Sequence, residues 1–303
     1  MTIYNIPVTC IADTRDKLGE GCLWDAMGGF LWWLDIIVPS RIHRLHVETG
    51  ALRTWHFNEM IGAMAKRRDG TLLVGAHRGL NIFDPTTGAM THWTTLEPHR
   101  PFNRGNDGAC DAKGRFWFGT MMNNVGESGA DLPITDATGA LFRIDAHGAA
   151  TEVASGIGVS NGPCWSPDNR IFYFSDSRAQ AIWAYDFDLE AGALSNRRIL
   201  NDSKDYGYPD GATIDADGCI WSARWEGSCV LRIDPKGRID RVVPIPAKRP
   251  TNVCFGGARL DTLYVTSARL HVPEEELARN PLQGGVFCFN PHVRGFEKPG
   301  FAG

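Results

Sequence analysis

The sequence predicts an all-β fold, a six-bladed β-propeller with four-stranded blades, and three observations carry that expectation. Six short aromatic-rich or aliphatic segments recur along the chain, most of them led by an Asp/Gly turn. A second strand-like run follows each of them. No long helical period interrupts the series.

The six segments are GGFLWWLD (28–35), DGTLLVGA (69–76), KGRFWFGT (113–120), DNRIFYFSD (168–176), DGCIWSAR (217–224) and LDTLYVTS (260–267). Aligned on Trp32, Leu73, Trp117, Tyr173, Trp221 and Tyr264, they recur at intervals of 41, 44, 56, 48 and 43 residues. The runs that follow are RIHRLHVETG, GLNIFDPTTG, ALFRIDAHG, AIWAYDFD, VLRIDPKG and GVFCFNP, most ending in an Asp or Asn turn. Two recognisable strands in a unit of this length indicate a propeller blade. EEELARN at 274–280 is expected to form one short helical turn. A spare strand, IPVTCIAD, stands near the N-terminus, and the last repeat lacks a strand after GVFCFN. The N-terminal strand is therefore expected to complete the last blade, with residues 1–303 forming one propeller domain whose closure removes exposed sheet edges.

Composition narrows the functional classes. A 43% hydrophobic and 22% charged content is that of an ordinary globular chain, and a net charge of -4 gives no electrostatic footprint for nucleic acid or an anionic membrane. The first residues lack a basic region followed by an apolar one, and no apolar run reaches the length of a membrane span. The eight cysteines are scattered without a CxxC pair, which points to a reducing, cytoplasmic setting. A monomer or weak homo-oligomer acting on a small molecule is the expectation.

About a dozen residues before each aligned position, the chain reads GEG, MIGA, NDG, SNG, PDG and TNV. Five of the six place a polar side chain there: Glu20, Asn106–Asp107, Asn161, Asp210 and Asn252; the second repeat has Ile61. Each is expected in a tight turn entering the innermost strand. A propeller gathers these entries at one mouth of its channel. Carboxylates held close together call for a cation, and oxygen donors suit Ca²⁺, Mg²⁺ or Mn²⁺, with Zn²⁺ or Fe²⁺ also compatible. Taken singly, each residue is an ordinary turn former; their recurrence is the functional signal.

LGEGCLWD (18–25), NRGNDGACDAKGRFWFGTM (103–121), SNGPCWSPDNRIFYFSDS (160–177), YPDGATIDADGCIW (208–221) and FGG (255–257), in this order, resemble the gluconolactonase, senescence-marker-protein and regucalcin-like family of six-bladed propellers. The resemblance covers nearly the whole chain. It implies a single divalent metal held by Glu20, Asn161 and Asp210, and substrate contacts from Arg104 and Asn106. A further substrate-contacting position, acidic in the family, falls at Asn124, an amide in this chain. The family's aromatic or apolar residue between the Arg and the Asn is Gly105 here. SNGPCWSPD, CFGG and PLQGGVF resemble bacterial pentonolactonases, and that resemblance makes a pentonic acid lactone the first candidate substrate.

Arg104 and Asn106 also suit a polyhydroxylated ring on their own chemistry, a planar fork of donors beside an amide that both donates and accepts. The expected reaction is metal-dependent hydrolysis of a sugar-acid lactone, with Asp210 as metal ligand and general base. The rivals are a calcium-binding or interaction propeller without catalysis and a phosphotriesterase-like ester hydrolase. The segment NNVGESGADLPITDATGA at 123–140 is expected to be a mobile loop partly covering the channel mouth. His43, His46, His56, His77, His92 and His99 share no metal-ligand spacing, and Ser160 lacks the GxSxG context of a nucleophile.

Overall fold

The computed structural model describes residues 2–126 and 129–303. The chain begins with β1 (Thr2–Ile3) and β2 (Thr9–Ala12), both of which join sheets formed much later. Blade 1 is β3 (Gly19–Asp25), β4 (Phe30–Asp35), β5 (Ser40–His46) and β6 (Ala51–Phe57). Blade 2 is β7 (Ile61–Lys66), β8 (Leu72–Ala76), β9 (Gly79–Phe83) and β10 (Met90–Thr95). Blade 3 is β11 (Asn103–Cys110), β12 (Phe116–Met122), β13 (Gly139–Ile144) and β14 (Ala150–Ile157). Blade 4 is β15 (Ser160–Trp165), β16 (Ile171–Asp176), β17 (Ala181–Asp188) and β18 (Ala193–Asn201).

Blade 5 is β19 (Tyr208–Ile214), β20 (Ile220–Trp225), β21 (Cys229–Ile233) and β22 (Ile239–Pro244), with β1 added in parallel at its outer edge. Blade 6 is β23 (Pro250–Gly256), β24 (Thr262–Ser267) and β25 (Val286–Phe289), completed by β2, which pairs antiparallel with β25. The expected closure by the N-terminal strand is thus present. The pairing of β1 with blade 5 was not anticipated. A short helix, α1 (Glu274–Arg279), lies between β24 and β25 in the segment expected to form a helical turn. No helix among the described residues is long and apolar enough to cross a membrane.

The Asp/Gly signal that marks the repeats has a specific physical basis. Asp111 accepts the backbone N–H groups of Lys113 and Arg115 at 2.9 and 3.1 Å and the Trp117 indole N–H at 2.9 Å. Asp215 does the same for Asp217, Cys219 and Trp221 at 3.0, 2.9 and 2.8 Å. One carboxylate closes the turn between the first and second strands and fixes the aromatic that follows. Those aromatics pack between blades. Among the described residues six apolar clusters occupy the six interfaces of the ring, such as Trp32, Leu34 and Ile42 against Met64 and Val74 between blades 1 and 2. Such interlocked burial leaves no blade able to bury its faces alone.

The first strand of every blade is innermost, and these strands form a closed ring: β3 lies beside β7, then β11, β15, β19, β23 and β3 again. At the far end of the channel the C-terminal tail runs across the ring. Ala216 N–H donates to Arg294 O at 2.8 Å, Phe301 N–H to Lys66 O at 2.7 Å, and the Phe301 ring enters the cluster between blades 2 and 3.

Candidate active site

The expectation of turns at the polar channel positions is corrected by the structure. Glu20, Asn106, Asn161, Asp210 and Asn252 lie inside the innermost strands, at breaks of the strand register. These breaks fall at 20–23 in β3, 105–108 in β11, 161–164 in β15, 209–212 in β19 and 250–253 in β23, with a shorter one at 61–63 in β7. A bulge inserts unpaired residues, interrupts the in-out alternation and re-aims side chains, and it does so without ending the strand. Gly21 (φ 61°) and Gly162 (φ 56°) take up the left-handed backbone conformation at two of these bulges. Blade 2 contributes no polar side chain. Ile61 is buried in an apolar cluster, and a Cβ on Gly62 would come 2.2 Å from the Asn106 carbonyl oxygen, so this strand supplies close backbone packing.

All six residues expected to bind metal or substrate line one cavity of about 390 Å³: Glu20, Arg104, Asn106, Asn124, Asn161 and Asp210. Leu18, Met121, Ile134, Val159, Tyr208 and Trp225 form the less polar wall. Asn124 and Ile134 come from the long 123–140 segment, so that segment does contribute to the cavity, while its Glu127 and Ser128 lie outside the described residues.

Hydrogen bonds link the polar side into one network. Arg104 Nη1 donates to Asn106 Oδ1 at 2.7 Å and to Gly105 O at 3.0 Å, while Nη2 donates to Asn124 Oδ1 at 3.0 Å. Asn106 Nδ2 donates to Ser160 O at 2.8 Å and to Asn161 Oδ1 at 3.1 Å. Asn161 Nδ2 donates to Ser177 Oγ at 2.8 Å, whose hydroxyl donates to Pro209 O at 2.6 Å, beside Asp210. On the other side Glu20 Oε2 accepts from Asn252 Nδ2 at 3.0 Å and from Gly21 N–H at 3.1 Å. Asp210 feels the neighbouring Glu20 carboxyl.

Two of the aligned polar residues brace the site from behind. Asp107 accepts the N–H groups of Gly108 and Gly162, both at 2.8 Å, and so ties the bulges of blades 3 and 4 together. Asn252 buttresses Glu20. Gly105 does not shape the cavity wall. A Cβ there would meet the Phe118 ring at 2.1 Å, because that buried ring fills the space between blades 2 and 3. The histidines are structural where they are buried: His43 contacts Asp16 Oδ1 at 3.1 Å and Thr54 Oγ1 at 2.9 Å and stacks on Trp33.

Charge is concentrated here. Burial, and then the charge of Asp107, raises the Glu20 carboxyl to about 8. Burial, followed by Glu20 and Asp107, holds Asp210 well above the usual carboxylate range, and burial also raises Asp107. Arg104 is lowered to about 10 by burial, against the opposing pull of Glu20 and Asp210. A second cation comes from the far end of the channel: Lys298 Nζ donates to Cys22 O at 3.1 Å, and its charge lowers both Glu20 and Asp107. Lys298 lies in the tail outside the repeats, so no repeat-based signal pointed to it. Ser177 follows the aligned SD of blade 4, but its hydroxyl has nothing in its residue type to mark it as a brace for Asn161.

Among the described residues no group of three or more His, Cys, Asp or Glu side chains is arranged to hold a metal. The donor set is two carboxylates with an amide carbonyl, Glu20, Asp210 and Asn161. Its chemistry fits a hard divalent cation: two neighbouring buried carboxylates, both shifted toward the protonated form, gain most from an added positive charge. The buried Arg104 Nε and Asn252 Oδ1 have no hydrogen-bond partner, which leaves polar capacity at the site.

Residues 18–269 match the family profile described as SMP-30/Gluconolactonase/LRE-like region. The chain is 35% identical to 6-deoxy-6-sulfogluconolactonase of Pseudomonas putida over 301 residues, covering 99% of this chain and 100% of that one. It is 37% identical to pentonolactonase XacC of Haloferax volcanii over 265 residues, 86% of this chain and 85% of that one. The crystal structure of a calcium-binding protein, regucalcin, from Agrobacterium tumefaciens superimposes with a TM-score of 0.92 at 29% identity, covering 99% of both chains.

Proposed function

Because the chain belongs to the SMP-30/gluconolactonase/LRE-like family, a family of sugar lactone lactonases, we propose that it hydrolyses an aldonolactone of pentono or hexono size to the free aldonic acid. The observation that carries this reading is the convergence of Glu20, Asn161 and Asp210 with Arg104 and Asn106 in one cavity. The names of two relatives, a pentonolactonase and a sulfogluconolactonase, support the substrate class.

Glu20, Asn161 and Asp210 would hold the divalent ion, which when bound supplies Lewis-acid polarisation of the lactone carbonyl and stabilises its oxyanion. The oxygen donors favour Ca²⁺, Mg²⁺ or Mn²⁺ and admit Zn²⁺ or Fe²⁺. Asp210 takes a proton from the attacking water. Water oxygen bonds to the carbonyl carbon, the ring C–O bond breaks, and the departing oxygen takes up a proton to become a hydroxyl. Arg104 and Asn106, already fixed to each other, orient the ring hydroxyls or carbonyl, and Asn124 extends that polar wall.

All eight cysteines are free, which suits a reducing, cytoplasmic setting. The test is acid release from purified protein given aldonolactones with and without added divalent ions. Turnover of phosphotriesters in preference to lactones would redirect the assignment to an ester hydrolase. Metal binding without any turnover would redirect it to a binding propeller.

A further inference from the structure

The cavity contains a second guanidinium that the reading above does not use. Arg178 lies in the turn after β16 and is exposed, whereas Arg104 is buried. Its position is built into the site. Asp176 Oδ1 accepts the Arg178 N–H at 3.1 Å, while the same carboxylate accepts the N–H groups of Gly158 and Val159 at 2.9 and 3.0 Å, just ahead of the strand that carries Asn161. Ser177, the preceding residue, is the brace between Asn161 and Pro209. The aliphatic stem of Arg178 lies over Gly158, where an added Cβ would stand 2.7 Å from its Cβ and 3.0 Å from its Cδ. Backbone and neighbours thus direct this side chain to the cavity.

Its guanidinium is not engaged by a carboxylate of the described residues. Arg178 makes no ion pair with a described residue, and Asp176 beside it is occupied by backbone amides. Its guanidinium has one long contact, Nη2 to Thr135 O at 3.4 Å, from the segment that also supplies Asn124 and Ile134 to the cavity. Arg104, in contrast, faces the charges of Glu20 and Asp210. The cavity therefore has a polar end where the carbonyl would react and an unpaired cation at its rim, near the partly exposed Tyr208.

Resting on the lactonase reading, we propose that Arg178 is a specificity-determining residue that recognises an anionic group on the part of the lactone farthest from its carbonyl. A planar guanidinium binds carboxylate, sulfonate or phosphate through paired donors, and a neutral hydroxyl gains much less from it. The preferred substrates are then lactones that carry such a group on the terminal carbon.

The test compares kcat/KM for a neutral hexonolactone and for its terminal carboxylate, sulfonate and phosphate counterparts, in wild type, Arg178→Gln and Arg178→Lys. The expected result is a wild-type preference of tenfold or more for at least one anionic lactone. Arg178→Gln should cut that preference at least tenfold, chiefly through KM, and Arg178→Lys should restore part of it. The leading anion identifies the group recognised. Equal kcat/KM for neutral and anionic lactones, or a preference that Arg178→Gln leaves unchanged, overturns the assignment while the lactonase reading stands. Hydrolysis of none of the four overturns the assignment, and the lactonase reading falls with it only if pentonolactones are inert as well.

Discussion

Replacing Asp210 by Asn should weaken metal binding and activity while making the metal-free protein more stable. The substitution keeps the shape of the side chain but removes one of two neighbouring buried carboxylates, and it sets an amide beside Glu20 in place of a like charge. Asp210 is held well above its ordinary value by burial first and then by Glu20 and Asp107. The amide escapes the cost of holding a carboxylate buried beside like charges, ~1–3 kcal/mol for a buried polar group left unsatisfied, so the metal-free variant should melt about 2–6 °C higher at alkaline pH. The assay is calorimetric melting at pH 9 after chelation, repeated with excess Ca²⁺ or Mn²⁺. Wild type should melt lower than the variant when chelated and rise strongly on metal addition, as linkage requires of a ligand that binds only the folded state. The variant should respond weakly. A chelated variant that melts below wild type, or one with an equal metal response, would show that Asp210 neither strains the metal-free site nor holds the ion.

Glu20 is raised from 4.5 to about 8, so the folded state keeps a proton that the unfolded chain loses; metal-free stability should therefore fall as pH rises from about 4.5 to about 8, and a pH series of melts in chelator would show it. Arg104→Ala should lower kcat/KM about 10- to 100-fold through lost charge-assisted hydrogen bonds, while calorimetric titration finds the metal still bound. Deletion of residues 1–12 removes β1, β2 and the half-buried Tyr4, Ile6, Val8, Cys10 and Ile11, a loss of ~5 kcal/mol at about 1 kcal/mol per partly buried side chain; the truncated chain should be unfolded or insoluble, and a fully active truncation would contradict closure by β2. Gly105→Ala should lower stability by about 1–3 kcal/mol, since the new Cβ meets the Phe118 ring and cannot be housed without repacking; a melt equal to wild type would show that the ring has room to move.

Much of this architecture is legible in the chain because repetition multiplies weak signals. A single Asp-Gly turn says little, but the recurrence of Trp117 and Trp221 six residues after Asp111 and Asp215 reports a turn, a strand and a blade at once. The site was legible for the same reason. Glu20, Asn161 and Asp210 are far apart in sequence and equivalent in the repeat, and the ring brings them into one cavity. What periodicity does not encode was missed. A bulge and a turn share the same Gly-rich signature, so the polar residues were expected at strand entries when they lie within strands. Lys298 reaches the channel from a tail outside the repeat, and Arg178 gains its place from the fold of a turn whose residues look like any other surface loop. The two-residue β1 carries too few side chains to show an alternating pattern.

That the carboxylates and amides of the channel serve lactone hydrolysis is best judged by the initial rate of acid release from a panel of aldonolactones, with chelated protein and after each divalent ion is added back. One or a few lactones should turn over well above the spontaneous rate, with activity lost on chelation and restored by an oxygen-preferring ion. A rate no higher than the spontaneous one with every lactone and every ion would contradict that role.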